Sequence, residues 1–212
     1  MKQSEIYING KSTKDMELLL IDREIGLPLV QTYKINVPGR NGELDLSEFL
    51  TGDVQYSNRT LKFKFYIKGK REKLISSIEE MLLIHGQKVE IVLDDYLNFY
   101  FTGRAEIACN DYKYYVEFEL SVDAEPFRMA KEKQQAVFQV NSTAGISINN
   151  PGVPVIPTVT VSDSVTIIRN EKRLSLSKGK YYENELKLFN GSNDFSVEGN
   201  AEVIFEYREA FI

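Results

Sequence analysis

Residues 59–68 read RTLKFKFYIK, and this stretch decides the fold class. Its apolar side chains fall at every second position: Leu61, Phe63, Phe65 and Ile67. A period of two residues is the period of a β-strand, because successive side chains point to opposite faces of a sheet. The stretch is therefore predicted to be a strand with one face in a core and the other, which carries Lys62, Lys64 and Lys68, in water.

The same alternation recurs at residues 113–122, which are predicted to be a second long strand. The side chains predicted to face its core are Tyr114, Val116, Phe118, Leu120 and Val122. Further strands are predicted at residues 18–23, 89–93 and 98–107. Turn-forming pairs separate these segments: Asn9-Gly10, Pro38-Gly39, Asn41-Gly42, Asp94-Asp95 and Asn110-Asp111.

One segment changes period. Between residues 70 and 84, apolar residues follow the spacing of an amphipathic helix: Leu74, Ile75, Ile78, Met81 and Leu82. His85-Gly86 is predicted to end this helix, because glycine readily takes the left-handed conformation found after a helix. The apolar stripe is predicted to pack on the sheet.

The second half of the chain has shorter segments and closer turns. A polar connector at residues 128–135 follows the long strand. Short strands are predicted at residues 137–140, 158–161, 165–168, 186–189, 195–197 and 203–207. Evenly spaced short strands are typical of a β-sandwich. The chain is thus predicted to be mainly β, with a minor α+β character, and to form two domains. Residues 1–127 are predicted to be a β-sandwich-like domain with one packed helix and a projecting hairpin, and residues 128–212 a small β-sandwich.

Composition excludes several classes of site. Cys109 is the single cysteine and His85 the single histidine, so neither an intrachain disulfide nor a Cys/His metal site is expected. No apolar run approaches the roughly 18–20 residues that cross a bilayer, so no membrane contact is expected. The polar N-terminal residues lack the apolar stretch of a secretory signal, which favours folding in a reducing cytoplasm.

Charge argues against a nucleic-acid binder. Acidic residues outnumber basic ones, 31 to 26, which gives a formal charge of −5. Binding to a phosphate backbone relies on clustered Lys and Arg that displace counterions. Lys62, Lys64 and Lys68 form the one basic row, and we interpret them as solvated or paired with carboxylates.

The hypothesis that the chain is an enzyme is weaker than the hypothesis of a non-enzymatic role. Asp94-Asp95 and the pair Asp123/Glu125 bring carboxylates together, as glycoside hydrolysis requires. Asp94-Asp95 lies between two predicted strands, however, where aspartate commonly forms turns. His85 at a helix end favours contact with the terminal carbonyls, and Cys109 favours a buried thiol. No catalytic residue and no cofactor are therefore predicted.

The most distinctive stretch is VPGRNGELDLSE at residues 37–48. Pro38 fixes φ and Gly39 permits a positive φ, so the chain is expected to reverse sharply there. Gly42 completes a second tight turn. Ser47 is a candidate N-cap for a brief helical turn through Phe49 and Leu50. The result is predicted to be a rigid projecting hairpin, suited either to an ordinary surface position or to a contact between subunits.

This stretch, with Leu50-Thr51-Gly52 and Tyr56-Ser57-Asn58-Arg59, resembles the N-terminal domain of the phage distal tail protein (Dit) family. That family shows a VPGRDG-type turn, a leucine-threonine-glycine step and a Tyr-x-Asn-Arg that leads into a strand. Asn41 replaces the aspartate of the turn, which is a mild change because Asn-Gly favours the same turn. Residues 123–127 and 184–208 resemble the ends of the family's two domains, the second of them galectin-like.

The resemblance implies a structural role in a virion. Six copies are expected to form a ring through their first domains at the tail tip, after synthesis in the host cytoplasm. The expected partners are further copies of the chain, the tail-tube protein, the tail-associated hub protein, and receptor-binding or baseplate proteins. The residues expected at the intersubunit interface are Pro38, Gly39, Arg40, Asn41, Gly42, Asn58 and Arg59. No stable nucleic-acid binding is expected.

A carbohydrate-binding adhesin module is the alternative function. A galectin-like sandwich favours it, but sugar-binding surfaces most often use exposed Trp, which this chain lacks. Tyr181 and Tyr182, beside Gly179, are the candidate sugar contacts. Adjacent strand residues point to opposite faces, so only one of the two could serve.

Overall fold

The computed structural model describes residues 4–49 and 52–212. Strands hold 57% of the residues and helical segments 7%, which confirms the mainly β class. The chain divides into two compact units. The first runs to Arg128 and also takes in Ile212, and the second is Met129–Phe211.

The first unit is an antiparallel sheet with one helix among its described residues. Its elements are β1 (Ile6–Ile8), β2 (Lys11–Ser12), β3 (Leu19–Ile25), β4 (Val30–Gln31), β5 (Lys34–Asn36), β6 (Glu43–Asp45), β7 (Gln55–Tyr56), β8 (Arg59–Lys68), α1 (Arg71–Leu82), β9 (Lys88–Leu93), β10 (Phe99–Asp111) and β11 (Tyr115–Ala124). Seven of the strands form the main path of a nine-stranded sheet, in the order β2-β1-β9-β10-β11-β8-β3.

The predicted alternation along β8 is present in the structure. Leu61, Phe63, Phe65 and Ile67 are all buried, whereas the lysines between them are exposed. Strand β8 pairs along its whole length with β11 on one side, and its residues 61–66 pair with β3 on the other. It therefore lies inside the sheet, where its four apolar side chains contribute to the core.

Helix α1 packs on the inner face of this sheet. Leu74 and Met81 are fully buried in the core that the sheet provides. Gly86 has φ +73°, as predicted, and its N–H donates to the carbonyl of Ala105 in β10 at 2.7 Å. The end of the helix is thus tied to the strand beside it.

The hairpin between β10 and β11 is displaced from its predicted position. Asn110 and Asp111 belong to β10, and the reversal falls at residues 112–114 instead. Tyr114, predicted to face the core, is 68% exposed. Tyr112 stacks on Tyr115 across this turn with ring centroids 4.5 Å apart, a contact that the alternation pattern does not reveal.

The second unit is built on two long strands. Its elements are β13 (Gln134–Asn150), β14 (Thr158–Val161), β15 (Val165–Arg169), β16 (Lys172–Leu176), β17 (Gly179–Tyr181), a 3-10 turn (Asn184–Leu186), β18 (Gly191–Tyr207) and β19 (Ala210–Phe211). The short β12 (Arg128–Ala130) precedes them. Strands β13 and β18 pair with each other over all of their 17 residues.

This long strand pair folds back on itself. Phe195 and Phe205 lie ten positions apart in β18, which in a straight strand is about 33 Å. Their ring centroids are only 5.5 Å apart. Strand β18 therefore bends sharply between them, and Gly199, with φ +138°, lies in that interval. One half of β18 pairs with β15 and the other half with β14, so the pair supplies both layers of a sandwich.

These strands are longer than the sequence pattern predicts. Separate strands were predicted at residues 195–197 and 203–207 because Gly199-Asn200 is a turn signal, whereas both segments belong to β18. The strand predicted at residues 186–189 is mostly absent: Leu186 ends the 3-10 turn and Leu188 forms an isolated bridge with Val155. Strand β14 has the predicted bounds.

Candidate functional site

A long excursion leaves the main sheet between β3 and β8. We call residues 27–58 the arm. It holds two small sheets of its own, in which β4 pairs with β7 and β5 pairs with β6. Neither joins the main sheet, so the arm is built as a separate projection. The arm begins earlier than the hairpin predicted from the sequence.

Arg59 and Gly26 fix the base of the arm. The N–H of Gly26 donates to Thr60 at 3.0 Å, and Nε of Arg59 donates to the carbonyl of Gly26 at 2.6 Å. A second guanidinium nitrogen of Arg59 donates to Pro126 at 3.3 Å. A side chain at position 26 would place its Cβ 2.8 Å from the Thr60 carbonyl, so the close approach requires glycine.

The environment of Arg59 differs from the one predicted. Its residue exposure is 4%, and its guanidinium lies 5.1 Å from the ring centroid of Phe101. Burial lowers the pKa of Arg59 below its usual value. A side chain enclosed in this way is not available to a neighbouring subunit. We therefore assign Arg59 to the base of the arm rather than to an interface.

Polar contacts hold the middle of the arm together. The backbone N–H of Tyr33 donates to Oγ of Ser47 at 2.8 Å, and the N–H of Ser47 donates to Oδ1 of Asp45 at 2.9 Å. The hydrogen bonds from Ser47 hold the pKa of Asp45 below its usual value. Ser47, which follows β6, is thus tied to Tyr33, which precedes β5. The helical turn predicted after it reaches Leu50, which lies outside the described residues.

The surface of the arm is unusually apolar. Seven of its large hydrophobic residues are exposed: Leu27, Leu29, Val30, Tyr33, Val37, Phe49 and Val54. Leu29 and Phe49 are 74% and 79% exposed. Apolar patches that remain in water on an isolated chain mark contact surfaces. The sequence pattern does not indicate these exposed residues, because they show neither strand nor helix periodicity.

A cleft lies within the arm. It has a volume of about 510 Å³, and its lining includes Val30, Leu46, Phe49 and Val54. Polar residues line it as well, among them Gln31, Asp45 and Glu48, so its walls are of mixed character.

The tip of the arm brings together five of the predicted interface residues. Pro38, Gly39, Arg40, Asn41 and Gly42 form the turn that connects β5 to β6, and all five are exposed. Gly39 and Gly42 have φ +80° and +79°, the conformation that the sequence predicted for Gly39. Within the described part of the chain, no carboxylate pairs with the side chain of Arg40.

Asn58 lies apart from this tip. It is exposed at the base of the arm, where Nδ2 donates to Oδ2 of Asp123 at 3.2 Å. The predicted interface residues thus divide into a cluster at the tip and two residues at the base.

The basic row on β8 lies among carboxylates. Lys62 pairs with Glu24, with Nζ 3.8 Å from Oε2. Lys64 lies between Asp22 of β3 and Glu119 of β11 in the strand register. Lys68 is opposite Tyr115 and has no acidic neighbour in register. The outer face of the sheet is therefore of mixed charge, as the sequence indicated.

The candidate catalytic residues have structural contacts. Arg23 pairs with Asp94 and Asp95, so these acids fix a turn against β3. Glu125 pairs with Lys88. Nδ1 of His85 accepts a hydrogen bond from the N–H of Ile107 at 3.0 Å, instead of contacting the helix carbonyls as predicted.

Cys109 is half-buried, and desolvation raises the pKa of its thiol, which disfavours the reactive thiolate. Within residues 4–49 and 52–212, no group of three or more His, Cys, Asp or Glu is arranged to hold a metal ion.

The two candidate sugar contacts have different environments. Tyr182 is 67% exposed, whereas Tyr181 packs against the core of the second unit and its hydroxyl donates to Ser177 at 2.9 Å. A cavity of about 580 Å³ lies elsewhere in this unit, and neither tyrosine lines it. Its polar walls include Asn170, Lys172 and Glu185, and its apolar walls include Leu174 and Phe189.

None of the helices formed by the described residues is both long enough and apolar enough to span a membrane.

The two units define a class of mainly β proteins, in which a sheet carrying an arm and a helix precedes a sandwich built on a folded strand pair. The Dit protein (gp 19.1) of SPP1 has the same fold. Its crystal structure matches this chain with a TM-score of 0.68 at 14% sequence identity, over 100% of both chains. That structure is described as a paradigm of the hub adsorption apparatus in phages that infect Gram-positive bacteria.

The likeness to Dit indicated by the sequence is thus confirmed as a likeness of fold. No protein-family model matches the chain. No curated protein gives a significant match.

Proposed function

We propose that this chain is a non-enzymatic structural component of a bacteriophage tail. Its copies would form a ring at the tail tip that joins the tail tube to the tail-tip hub and the host-adhesion apparatus. The observation that carries this proposal is the agreement in fold with SPP1 Dit over both entire chains. A match that includes both units and their order supports a shared architectural role.

The arm supplies a physical basis for ring formation. In a cyclic ring, one patch of each subunit contacts a different patch of the next. The arm tip, residues 38–42, and the apolar residues along the arm are suited to the first of these patches. Their burial against a neighbour would remove apolar surface from water and stabilise the ring.

We propose six copies for the ring, with residues 1–127 as its wall and residues 128–212 as a sandwich domain that each copy carries. The tail-tube protein would contact one side of the ring, and the hub, with receptor-binding or baseplate proteins, the other. The mixed-charge face of the main sheet would let DNA pass without adhering, because carboxylates of neighbouring strands lie beside Lys62 and Lys64.

Native mass spectrometry and electron microscopy test this proposal. We expect closed rings that are multiples of the 24.3 kDa chain, formed by the chain alone at high concentration or with its tail-tube and hub partners. Chains that stay monomeric under all these conditions, with no ring in micrographs, would refute it.

A carbohydrate-binding adhesin is the second candidate function. The exposed Tyr182 and the polar-walled cavity of the second unit favour it. A glycan array should then show binding that Tyr182→Ala or Asn170→Ala weakens. Phe211→Ala, outside both features, is the control. An array without bound glycans would exclude this candidate.

A further inference from the structure

Strand β13 has an open edge of unusual length. It pairs with β18 along one edge. No strand within residues 4–49 and 52–212 pairs with its other edge. An unpaired edge presents backbone N–H and C=O groups that can pair with another chain.

Composition sets β13 apart from the other edge strands. Proteins usually protect an exposed edge with charges, with proline or by keeping the strand short. The remaining edge strands follow this rule: β2 carries Lys11, β3 carries Asp22, Arg23 and Glu24, β16 carries Lys172 and Arg173, and β17 carries Lys180. Residues 134–150 contain neither a charged residue nor a proline, although 27% of the whole chain is charged.

The first half of β13, residues 134–141, is the better docking surface. Ala136 and Phe138 face the sandwich interior yet are only half-buried, because no strand covers them from the side. On the outer face, Val137 is 51% exposed. In the second half, the corresponding inward residues, Ile146 and Ile148, are already buried.

We propose that residues 135–141 pair antiparallel with the same residues of a second copy, across a two-fold axis at Phe138, and join two sandwiches through one continuous sheet. This inference goes beyond the ring, since it uses the second unit and not the arm.

The segment is complementary to itself. A two-fold axis perpendicular to the sheet keeps both inward rows on the same side, so Ala136 and Phe138 of each copy meet the matching row of the other. Because the segment is uncharged, no like charges face each other across the new strand pair. The added strand would bury Phe138 and satisfy the open backbone groups of both copies.

The proposed contact differs in symmetry from a ring contact. A two-fold contact is closed by two copies, whereas a ring contact continues from each copy to the next. Where both are present, rings would associate in pairs. The two contacts can be removed separately, since they lie on different units.

Charge-pair variants test the proposal. One protein carries Val137→Lys with Asn141→Lys, and another carries Val137→Glu with Asn141→Glu. Both positions are exposed and face uncharged residues of β18, Ile204 and Asn200. We expect dimerisation of each variant alone to weaken about tenfold or more relative to wild type, because position 137 of each copy lies diagonally next to the like charges at positions 137 and 141 of the other.

Mixing supplies the decisive measurement. An equimolar mixture of the Lys and Glu variants should restore the species at twice the 24.3 kDa chain mass in native mass spectrometry. Ser175→Lys, which adds a charge to the edge strand β16, should dimerise like wild type. All of these proteins also carry Arg40→Ala, which is expected to weaken ring formation, so that the measurement reports the β13 contact.

Three results would overturn the inference: a wild-type chain without this dimer at the highest soluble concentration, Lys and Glu variants that dimerise as well as wild type, or a mixture that fails to restore the dimer. Dimerisation of the mixture alone could not arise from simple unfolding of either variant, so the test separates a contact from a folding defect.

Discussion

Gly199 shows how a single residue determines the shape of the second unit. It has φ +138°, a conformation that residues with a Cβ rarely adopt. A Cβ at this position would also lie 2.8 Å from the carbonyl oxygen of Ser164. The bend of β18 therefore requires glycine for two independent reasons, conformation and space.

Gly199→Ala is expected to destabilise the protein by about 1–3 kcal/mol, through backbone strain and the contact with Ser164. Urea denaturation followed by circular dichroism measures the change. Gly145→Ala in β13 is the matched control, because its Cβ would meet no atom within 4 Å and its φ is not positive. Equal stability of the two variants would show that the bend tolerates a side chain.

At the scale of elements, side-chain pairs tie neighbouring segments together. Arg71 at the start of α1 donates two hydrogen bonds to the carboxylate of Asp111 at the end of β10, at 2.5 and 2.7 Å. The two parallel N–H groups of a guanidinium match the two oxygens of a carboxylate, which the single ammonium group of a lysine cannot do. The guanidinium of Arg71 holds the pKa of Asp111 below its usual value.

The Arg71–Asp111 pair is expected to make stability depend on pH. Because the folded-state pKa of Asp111 is lowered, its contribution is present above the unfolded-state value of about 3.9 and is lost as pH falls through the folded-state value. Asp111→Asn should be less stable than wild type at neutral pH, and the difference should shrink in acid. Denaturation midpoints measured from neutral pH down to acid check this, and a difference that grows in acid would contradict it.

The arm is the element on which assembly is expected to depend. Arg40→Ala and Gly39→Val should impair ring formation more than folding of the isolated chain. Gly39→Val adds backbone strain of about 1–3 kcal/mol at a positive φ and reshapes the tip. Particle counts in electron micrographs and thermal melts of the monomer measure the two effects.

Gly10→Val provides the control for strain alone. Gly10 has φ +81° in a turn outside the arm, so its variant should lose similar stability and still form rings. If the arm-tip variants melt well below wild type and nevertheless form normal rings, the tip belongs to the interior of the fold.

At the scale of the whole molecule, charge is spread rather than clustered. The chain carries a formal charge of −5, and Lys62 and Lys64 lie beside carboxylates in neighbouring strands. A polyanion meeting this face would displace few counterions, so little free energy is available for binding.

The protein is therefore not expected to bind duplex DNA at physiological salt. Fluorescence anisotropy with labelled duplex at low and moderate salt measures this directly. The triple variant Asp22→Asn, Glu24→Gln and Glu119→Gln, which removes the carboxylates beside Lys62 and Lys64, should increase binding at low salt. Tight, salt-sensitive binding by wild type that disappears when Lys62, Lys64 and Lys68 are changed to Ser would contradict the expectation.

Periodicity allowed much of the fold to be predicted. Strand β8, the core side of β11 from Val116 onward, and helix α1 followed from alternation and helical spacing, because each has one face in a core. Features governed by long-range contacts were missed. The pairing of Asp111 with Val116 overrides the turn signal at Asn110-Asp111, and the bend at Gly199 depends on Ser164, which is distant in sequence.

The candidate site was predicted in part. Glycines in the tip turn indicated its conformation, since only local sterics are involved. Burial of Arg59 could not be predicted, because it depends on Phe101 and Pro126, which approach only in the folded sheet. The apolar surface of the arm has no periodic signal, because its residues serve no core within the chain.

The pairing of β13 with β18 also orders events during synthesis. Gln134 pairs with Tyr207, so the first residue of β13 cannot pair until Tyr207 has been translated. Strands β14 and β15 also take β18 as a partner and are translated before it. Until β18 leaves the ribosome, three strands have no common partner, and the second unit cannot close. Strands β1–β11 are complete by Ala124, so this part of the chain is free to fold while the second unit is still being made.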